Sequence, residues 1–435
     1  MKLAFVSLGC PKNAVDLETV LAGIDRHVEL VDDMAEADAV LINTCAFIES
    51  AKQESIDTIL EISQLKKARP HVRVLVSGCL PQRYQEELAQ VLPEVDAFFN
   101  STDAKQTQRQ VREFLQLPTS CHSERKRLTP GHYAYLRIAD GCDNRCSYCA
   151  IPLIKGGYRS RPMDEIVQEA ESLCRDGAVE LNLVAQDTTR YGRDLHNQND
   201  LPRLLQRLAD IPSLQWIRLL YTHPAHWSDD LMETVAGLDK VVKYIDLPVQ
   251  HITDRMLERM RRHTTRQAIE TLIETLRRRI PGLALRTTLM VGFPGETEKD
   301  FRELLQFIEN TKFERLGVFT YSSEEGTEAF SWRDSVARAK KVDRQNIIME
   351  TQATMAAEHN SSQIGRAMRV LVDEVATETG QSIARTAWDA PEIDNSVIVE
   401  GKLEPGRFYT VKIEGADTYD LFAHPAEMDQ PQVLL

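Results

Sequence analysis

The chain has 435 residues, of which 27% are charged and 42% hydrophobic, and its net charge is −14. These proportions fit an ordinary globular protein, and the length allows two to four domains at roughly 150 residues each. No apolar run approaches the roughly 20 residues of a membrane helix, so a cytoplasmic chain without membrane association is expected; its eight cysteines are not expected to be a disulfide framework in so large a protein.

The first 117 residues alternate strand-like and helical patterns. "KLAFVSLGC", "DAVLINTC" and "VRVLVSGC" read as strands, with "EVDAFFN" as a further candidate. "AVDLETVLAGI" and "ESIDTILEISQLKKA" read as the helices between them. Such alternation implies βαβ units and a parallel sheet. The apolar run at residues 3–8, before Cys10, is too short for the roughly 7–15 residues of a secretory apolar core, so neither export nor an anchor is expected.

A polar stretch at residues 118–131 reads as a linker, its Arg125, Lys126 and Arg127 as a solvated connector. Between residues 132 and 365 the alternation resumes. Strands are expected at "YAYLRIAD", "ELNLVAQD", "WIRLLYTH", "KYIDLPVQ", "LALRTTLMVGF" and "RLGVFTYSS". Six strand–helix repeats predict a partial barrel with function at the carboxyl ends of its strands. Residues 366–435 change to short strands punctuated by Gly, Asp and Pro, the pattern of a small all-β barrel. The fold class is therefore α/β: an amino-terminal parallel sheet, a central partial (βα)6 barrel and a terminal β-barrel.

Charge is unevenly placed. Residues 1–120 carry 12 Lys and Arg against 18 Asp and Glu, and residues 366–435 carry 6 against 13. Nucleic-acid binders show a basic footprint, so direct RNA binding is not expected, and a basic protein partner fits better.

"GCDNRCSYCAIP" spaces Cys142, Cys146 and Cys149 as C-x3-C-x2-C directly after a predicted strand. Thiolates so close in sequence can wrap one soft metal centre, and cysteine is the usual ligand of iron–sulfur clusters. No nearby fourth Cys or His completes a structural zinc site. On these residues the chain closely resembles the radical S-adenosylmethionine (SAM) enzymes. The resemblance implies a 4Fe–4S cluster whose open iron chelates SAM, and an electron donor as partner. Gln186, Asp187, Gln250 and His251 end strands and either line that pocket or serve as polar caps. Gly292 and Gly295, in "MVGFPGET", either let backbone approach SAM or form a plain strand-to-helix turn before Thr297. Arg159 and Arg161, in "KGGYRSRP", either fork onto a substrate carboxylate or belong to a surface loop.

Cys10, Cys45 and Cys79 each end a predicted parallel strand. In an open α/β sheet those ends share one rim, where ligands bind. One cysteine there is readily a buried thiol; three with the same placement suggest a second cluster with an open iron. Cys121 and Cys174 lack that placement and read as ordinary thiols.

Three strand-end cysteines, a radical SAM core and a terminal β-barrel together resemble the methylthiotransferases along essentially the whole chain. The resemblance implies a second 4Fe–4S cluster that carries the sulfur, SAM as both methyl donor and 5′-deoxyadenosyl radical source, and a terminal TRAM domain for substrate binding. "GCPKN" and "NTCAFIESA" resemble the branch that modifies the β-carbon of an aspartate in small-subunit ribosomal protein twelve. The tRNA-modifying, MiaB-like branch typically has "GCQMN" and a basic TRAM domain. A non-catalytic iron–sulfur protein is the remaining alternative. Trp388, within "ARTAWDAPEIDN", is either an aromatic anchor for the partner or barrel packing. Nothing in the sequence demands an oligomer, and a monomer is expected.

Overall fold

The computed structural model describes residues 1–24, 26–100, 102–118 and 125–426. They form two compact units that are not contiguous in sequence. The first joins residues 1–129 with 140–159 and 322–331; the second joins 130–139, 160–321 and 332–435.

In the first unit, strands β1 (Lys2–Ser7), β2 (Glu29–Leu30), β3 (Ala39–Thr44), β4 (Arg73–Gly78) and β5 (Ala97–Phe98) form a parallel sheet in the order β2-β1-β3-β4-β5. Successive strand residues point to opposite faces, and the burial follows that alternation. Leu3, Leu41 and Leu75 pack beneath α1 (Pro11–Leu21) and the helix Ala104–Phe114. Ala4, Val40, Ile42, Val74 and Val76 pack against α2 (Glu49–Ser63) and α3 (Cys79–Val91). The central strand β3 is buried throughout, as the run "AVLINT" requires of a strand covered on both sides. Helix α1 begins at Pro11, directly after Cys10 and three residues before the apolar period suggests. Proline suits the first helical position, where its missing N–H is no loss.

The second unit contains a six-stranded parallel sheet. Its strands are β6 (Tyr133–Arg137), β7 (Glu180–Val184), β8 (Trp216–Leu219), β9 (Val241–Asp246), β10 (Ala284–Val291) and β11 (Arg315–Thr320), arranged in chain order from one edge to the other. Helices Met163–Arg175, Leu201–Ala209, Asp229–Gly237, Arg266–Arg279 and Glu298–Thr311 lie between them in sequence. This is the expected partial (βα)6 barrel. After the helix Arg338–Ser361, strands β12 (Ala367–Val375), β13 (Ser382–Thr386), β14 (Val397–Val399), β15 (Phe408–Ala416) and β16 (Leu421–Pro425) close a five-stranded barrel. Its core is built from Val370, Val372, Ala384, Val397, Val411 and Ile413.

Candidate active site

All three amino-terminal cysteines lie at the carboxyl edge of the first sheet. Cys10 precedes α1, Cys45 follows β3, and Cys79 opens α3. Gly9 and Gly78 bring the outer two close to the middle one. Both have positive φ, at 91° and 95°, where a side chain is strained. A Cβ on Gly9 would also meet Cys45 Cβ at 2.8 Å, and one on Gly78 would meet the Thr44 carbonyl oxygen at 2.5 Å. Asn13 ties the rim together: its Nδ2 donates to Leu8 O (2.6 Å) and Thr44 O (3.0 Å), and its Oδ1 lies 3.9 Å from Cys79 Sγ. Ser55 Oγ brackets Cys45, accepting from its N–H and donating to its carbonyl. The three thiols are free and sense one another. Burial first, then the nearby Cys10, raises Cys45. Burial pushes Cys79 up to about 12, with Cys45 and Cys10 adding to the rise and Lys155 opposing it.

The second triad belongs to the same unit. Cys142, Cys146 and Cys149 form no disulfide and are partly exposed. The N–H of Asn144 points at Cys142 Sγ (3.5 Å), Cys149 N donates to Cys146 O (3.0 Å), and Cys142 N donates to Gly156 O (3.1 Å). These bonds fold the loop back on itself, and the three thiols lie within eight residues of one another in sequence.

In the second unit the carboxyl rim of the sheet carries Gln186 and Asp187 after β7, His223 and His226 after β8, Gln250 and His251 after β9, and Gly292 and Gly295 after β10. Gln186 Oε1 is buried without a hydrogen-bond partner. An orphan acceptor of this kind is costly unless a ligand completes it. Gln250 has φ of 70°, a strained value for a non-glycine residue. His226 Nδ1 lies 2.7 Å from Asp187 Oδ2, and Thr189 Oγ1 donates to Asp187 Oδ1 at 2.6 Å. Burial would raise the Asp187 carboxyl, but His226 and His223 outweigh it and hold it at about 2. His223 stacks on His226 with ring centres 4.7 Å apart. Burial and the Arg262 charge depress His223, so its ring is neutral.

Asp187, His223 and His226 bring ligand-type atoms within 4.8 Å of one another, yet their hydrogen bonds oppose metal binding. His223 Nδ1 accepts the Ala225 N–H at 3.2 Å, which puts the ring proton on Nε2, and both Asp187 oxygens are already engaged.

The amino-terminal part, residues 2–100, matches an uncharacterised protein family, UPF0004; residues 136–308 match the radical SAM superfamily and residues 364–425 the TRAM domain. A ribosomal protein uS12 methylthiotransferase RimO from Geobacter sulfurreducens is 45% identical over 436 residues, 97% of this chain and 97% of that protein. The protein of the same name from Chloroherpeton thalassium is 43% identical, covering 97% of this chain and 98% of its own length. The chain belongs to the RimO family of methylthiotransferases. It is accordingly a radical SAM enzyme, with SAM and 4Fe–4S clusters as its cofactors. The radical SAM methyltransferase TsrM from Kitasatospora setae, solved with cobalamin and a 4Fe–4S cluster, shares the fold at a TM-score of 0.56 and 16% identity, covering 75% of this chain and 73% of that one.

Both thiol triads fit such clusters chemically. Each offers three soft donors, and the raised Cys45 and Cys79 thiols mean that cluster assembly must release protons there. The rim fits SAM through the orphan acceptor of Gln186.

Several of the other residues named from the sequence have structural roles. Gly292 serves packing: a Cβ there would lie 2.3 Å from Lys341 Cγ, and its N–H donates to Glu296. Gly295 N donates to Ser335 Oγ (3.0 Å), and Thr297 with Asp300 forms a capping box on the helix Glu298–Thr311. His251 is a buried cap; its Nδ1 accepts from Ile252 N at 2.8 Å and its Nε2 faces Glu296 Oε1 at 3.5 Å. Arg161 is committed to Arg137 O and to Glu169, both at 2.7 Å, whereas Arg159 is exposed. Cys174 is a buried thiol on the helix Met163–Arg175, and Cys121 lies outside the described residues.

The segment expected to dock a partner, residues 384–395, instead fastens the terminal barrel to the six-stranded sheet. Arg385 pairs with Glu180 (2.8 Å), Arg315 Nε with Asp389 (3.0 Å), Tyr133 with Glu392 (2.7 Å) and Tyr244 with Asp394 (2.6 Å). Tyr133, Glu180 and Arg315 are the first residues of their strands, so the barrel sits at the end of the sheet opposite the rim. Trp388 follows this pattern, as the packing alternative has it: its indole N–H donates to Gly282 O at 2.9 Å and its ring meets His359. The sequence reading did not find Asn13, Ser55, Asp16, Lys155, His226, Glu296 or Glu324. Asn13, Lys155 and Glu296 lay within the quoted motifs "GCPKN", "KGGYRSRP" and "MVGFPGET", but their partners lie on other segments.

Proposed function

We propose that this enzyme inserts a methylthio group at the β-carbon of an aspartate in small-subunit ribosomal protein uS12, with SAM as methyl donor and radical source. The observation that carries the reading is the presence of two separate cysteine triads, neither in a disulfide, in one compact unit. Cys142, Cys146 and Cys149 are assigned to the SAM-binding 4Fe–4S cluster, and Cys10, Cys45 and Cys79 to the auxiliary one. When bound, the two clusters supply the electron that cleaves SAM and the sulfur that is transferred.

The chain's own residues hold these groups in place. Gly9 and Gly78 permit close approach of the amino-terminal thiols, while Asn13 and Ser55 fix their backbone. Gln186 Oε1, with Gln250 on the same rim, receives SAM. Arg159 remains available to a substrate carboxylate. Functionally, residues 1–117 form the auxiliary-cluster domain, 118–131 a linker, 132–365 the radical SAM core and 366–435 the TRAM domain. The enzyme works in the cytoplasm with an external electron donor.

A protein substrate is favoured over tRNA by the charges of the terminal barrel. Its segment is acidic, with 6 basic against 13 acidic residues, and one of the basic side chains, Arg385, is buried on Glu180 and Asp373. An acidic excess disfavours phosphates, whereas it complements a basic ribosomal protein. Mass spectrometry of small-subunit ribosomal proteins, with and without the gene, tests this reading. A methylthio mass increase on uS12 that requires Cys10, Cys45 and Cys79 is expected; the same label on tRNA alone would sink it.

A further inference from the structure

Residues 322–331 follow β11 and precede the helix Arg338–Ser361, yet they pack in the unit that holds both cysteine triads. Glu324 anchors this strap and is 2% exposed. Its Oε2 accepts from Arg83 Nη1 at 2.9 Å and lies 3.4 Å from Lys52 Nζ, while its Oε1 accepts from Ser322 Oγ at 2.7 Å. Arg83 Nη2 adds a bond to Glu325 O at 2.7 Å.

What the strap touches is unusual. Arg83 also donates to Ala46 O at 3.0 Å, beside Cys45, and stands four residues after Cys79 on α3. At the other end, Ala329 N donates to Ser147 O at 2.8 Å, between Cys146 and Cys149. Gly326 packs so tightly on Leu153 that a Cβ would lie 2.8 Å from its Cδ1. One ten-residue segment therefore contacts the immediate neighbours of both triads. A buried carboxylate held by two cations contributes little net stability over apolar packing, but it fixes geometry because each partner has one satisfactory position.

We propose that the strap at residues 322–331, locked through Glu324 to Arg83 and Lys52, is a positioning device that sets the separation of the two cysteine triads. The proposal rests on the two-cluster reading above. A sulfur held at one triad must meet a carbon radical formed with the help of the other, and a misplacement of about 1 Å can cost ~10²-fold in rate.

The test uses the full-length enzyme reconstituted with iron and sulfide, comparing wild type with Glu324→Gln, Glu324→Asp and Lys52→Met. Lys52→Met leaves the Arg83–Glu324 pair intact and keeps the experiment informative if Glu324→Gln folds poorly. Three quantities are read: iron per chain, 5′-deoxyadenosine formed without uS12, and methylthiolated uS12 formed per 5′-deoxyadenosine. Dipolar broadening between the two reduced clusters is followed by electron paramagnetic resonance. Glu324→Gln is expected to keep full iron and SAM cleavage within about twofold, while coupling to product falls at least tenfold and the dipolar broadening changes. Lys52→Met should show the same effects more weakly, and Glu324→Asp should recover part of the coupling. Unchanged coupling and broadening in iron-replete Glu324→Gln and Lys52→Met would overturn the proposal. So would loss of iron and of all activities in parallel, which would leave the strap a fold element only. Wild-type enzyme that loads both clusters but leaves uS12 unmodified refutes the substrate reading alone, since broadening still reports on the strap; wild-type enzyme that loads one cluster refutes both.

Discussion

Lys155 Nζ lies 2.7 Å from Asp16 Oδ2, and both side chains are buried. Lys155 ends the short helix Ile151–Lys155 that follows the C-x3-C-x2-C loop, whereas Asp16 lies on α1 just beyond Cys10. Burial would strip the proton from Lys155, but Asp16, Asp140 and Cys79 together raise its pKa and keep it charged. This pair thus joins the elements that carry the two triads and places a cation near the Cys79 thiol. Replacing Lys155 by Met would remove the cation that faces the buried Asp16 carboxylate, at a cost of about 3 kcal/mol. The double variant Asp16→Asn, Lys155→Met should recover most of that loss in urea unfolding at pH 7. A loss in the double variant as large as in the single one would show that the pair is not what Lys155 contributes.

The two triads should separate cleanly by metal content. Wild type should bind roughly eight irons and a triple Ala variant at Cys10, Cys45 and Cys79 roughly four, if each site takes a four-iron cluster. That triple variant should still cleave SAM, because its C-x3-C-x2-C loop is untouched. The corresponding variant at Cys142, Cys146 and Cys149 should bind a similar amount of iron and cleave none. Iron analysis and 5′-deoxyadenosine assays on anaerobically reconstituted protein check both outcomes.

How much of this was legible from the sequence depends on how local each signal is. The strand-end cysteines were legible because an apolar strand that ends in a cysteine is a short pattern, and the sheet topology then brings the three ends to one rim. Asn13 sat inside a quoted motif, but its role was invisible, since its partners Leu8, Thr44 and Cys79 are contributed by three separate segments. Residues 384–395 misled for a related reason. Arg385, Asp389, Glu392 and Asp394 look like an exposed charged face until Glu180, Arg315, Tyr133 and Tyr244 meet them. Charge pattern shows that partners are wanted, without saying whether they lie on another protein or on the same chain.

Gln186 offers a prediction in two opposite directions. Its Oε1 is a buried acceptor without a partner, so Gln186→Leu should leave the stability of the ligand-free enzyme unchanged or raise it by about 1 kcal/mol. If the orphan oxygen waits for SAM, the same variant should weaken SAM binding by about tenfold, equivalent to ~1.4 kcal/mol. Thermal unfolding without ligand and equilibrium dialysis with SAM measure the two effects. A variant that loses stability and keeps its SAM affinity would identify Gln186 as a structural cap.

The Asp187–His226 pair should make the stability of the second unit depend on acidity. Burial would raise the Asp187 carboxyl, but the hydrogen bond and charge of His226 prevail and hold it at about 2, against roughly 3.9 in an unfolded chain. A depressed carboxyl stabilises the fold at every pH above the unfolded value, and that contribution fades as pH falls from about 4 towards 2. The shift corresponds to about 2–3 kcal/mol in full, of which roughly 1 kcal/mol is gone by pH 3. Asp187→Asn lacks the titrating group, so its stability deficit relative to wild type should shrink by that amount between pH 6 and pH 3. Urea unfolding of both proteins across this range decides the matter. A deficit that stays constant with pH would mean that the pair contributes through shape and hydrogen bonding alone.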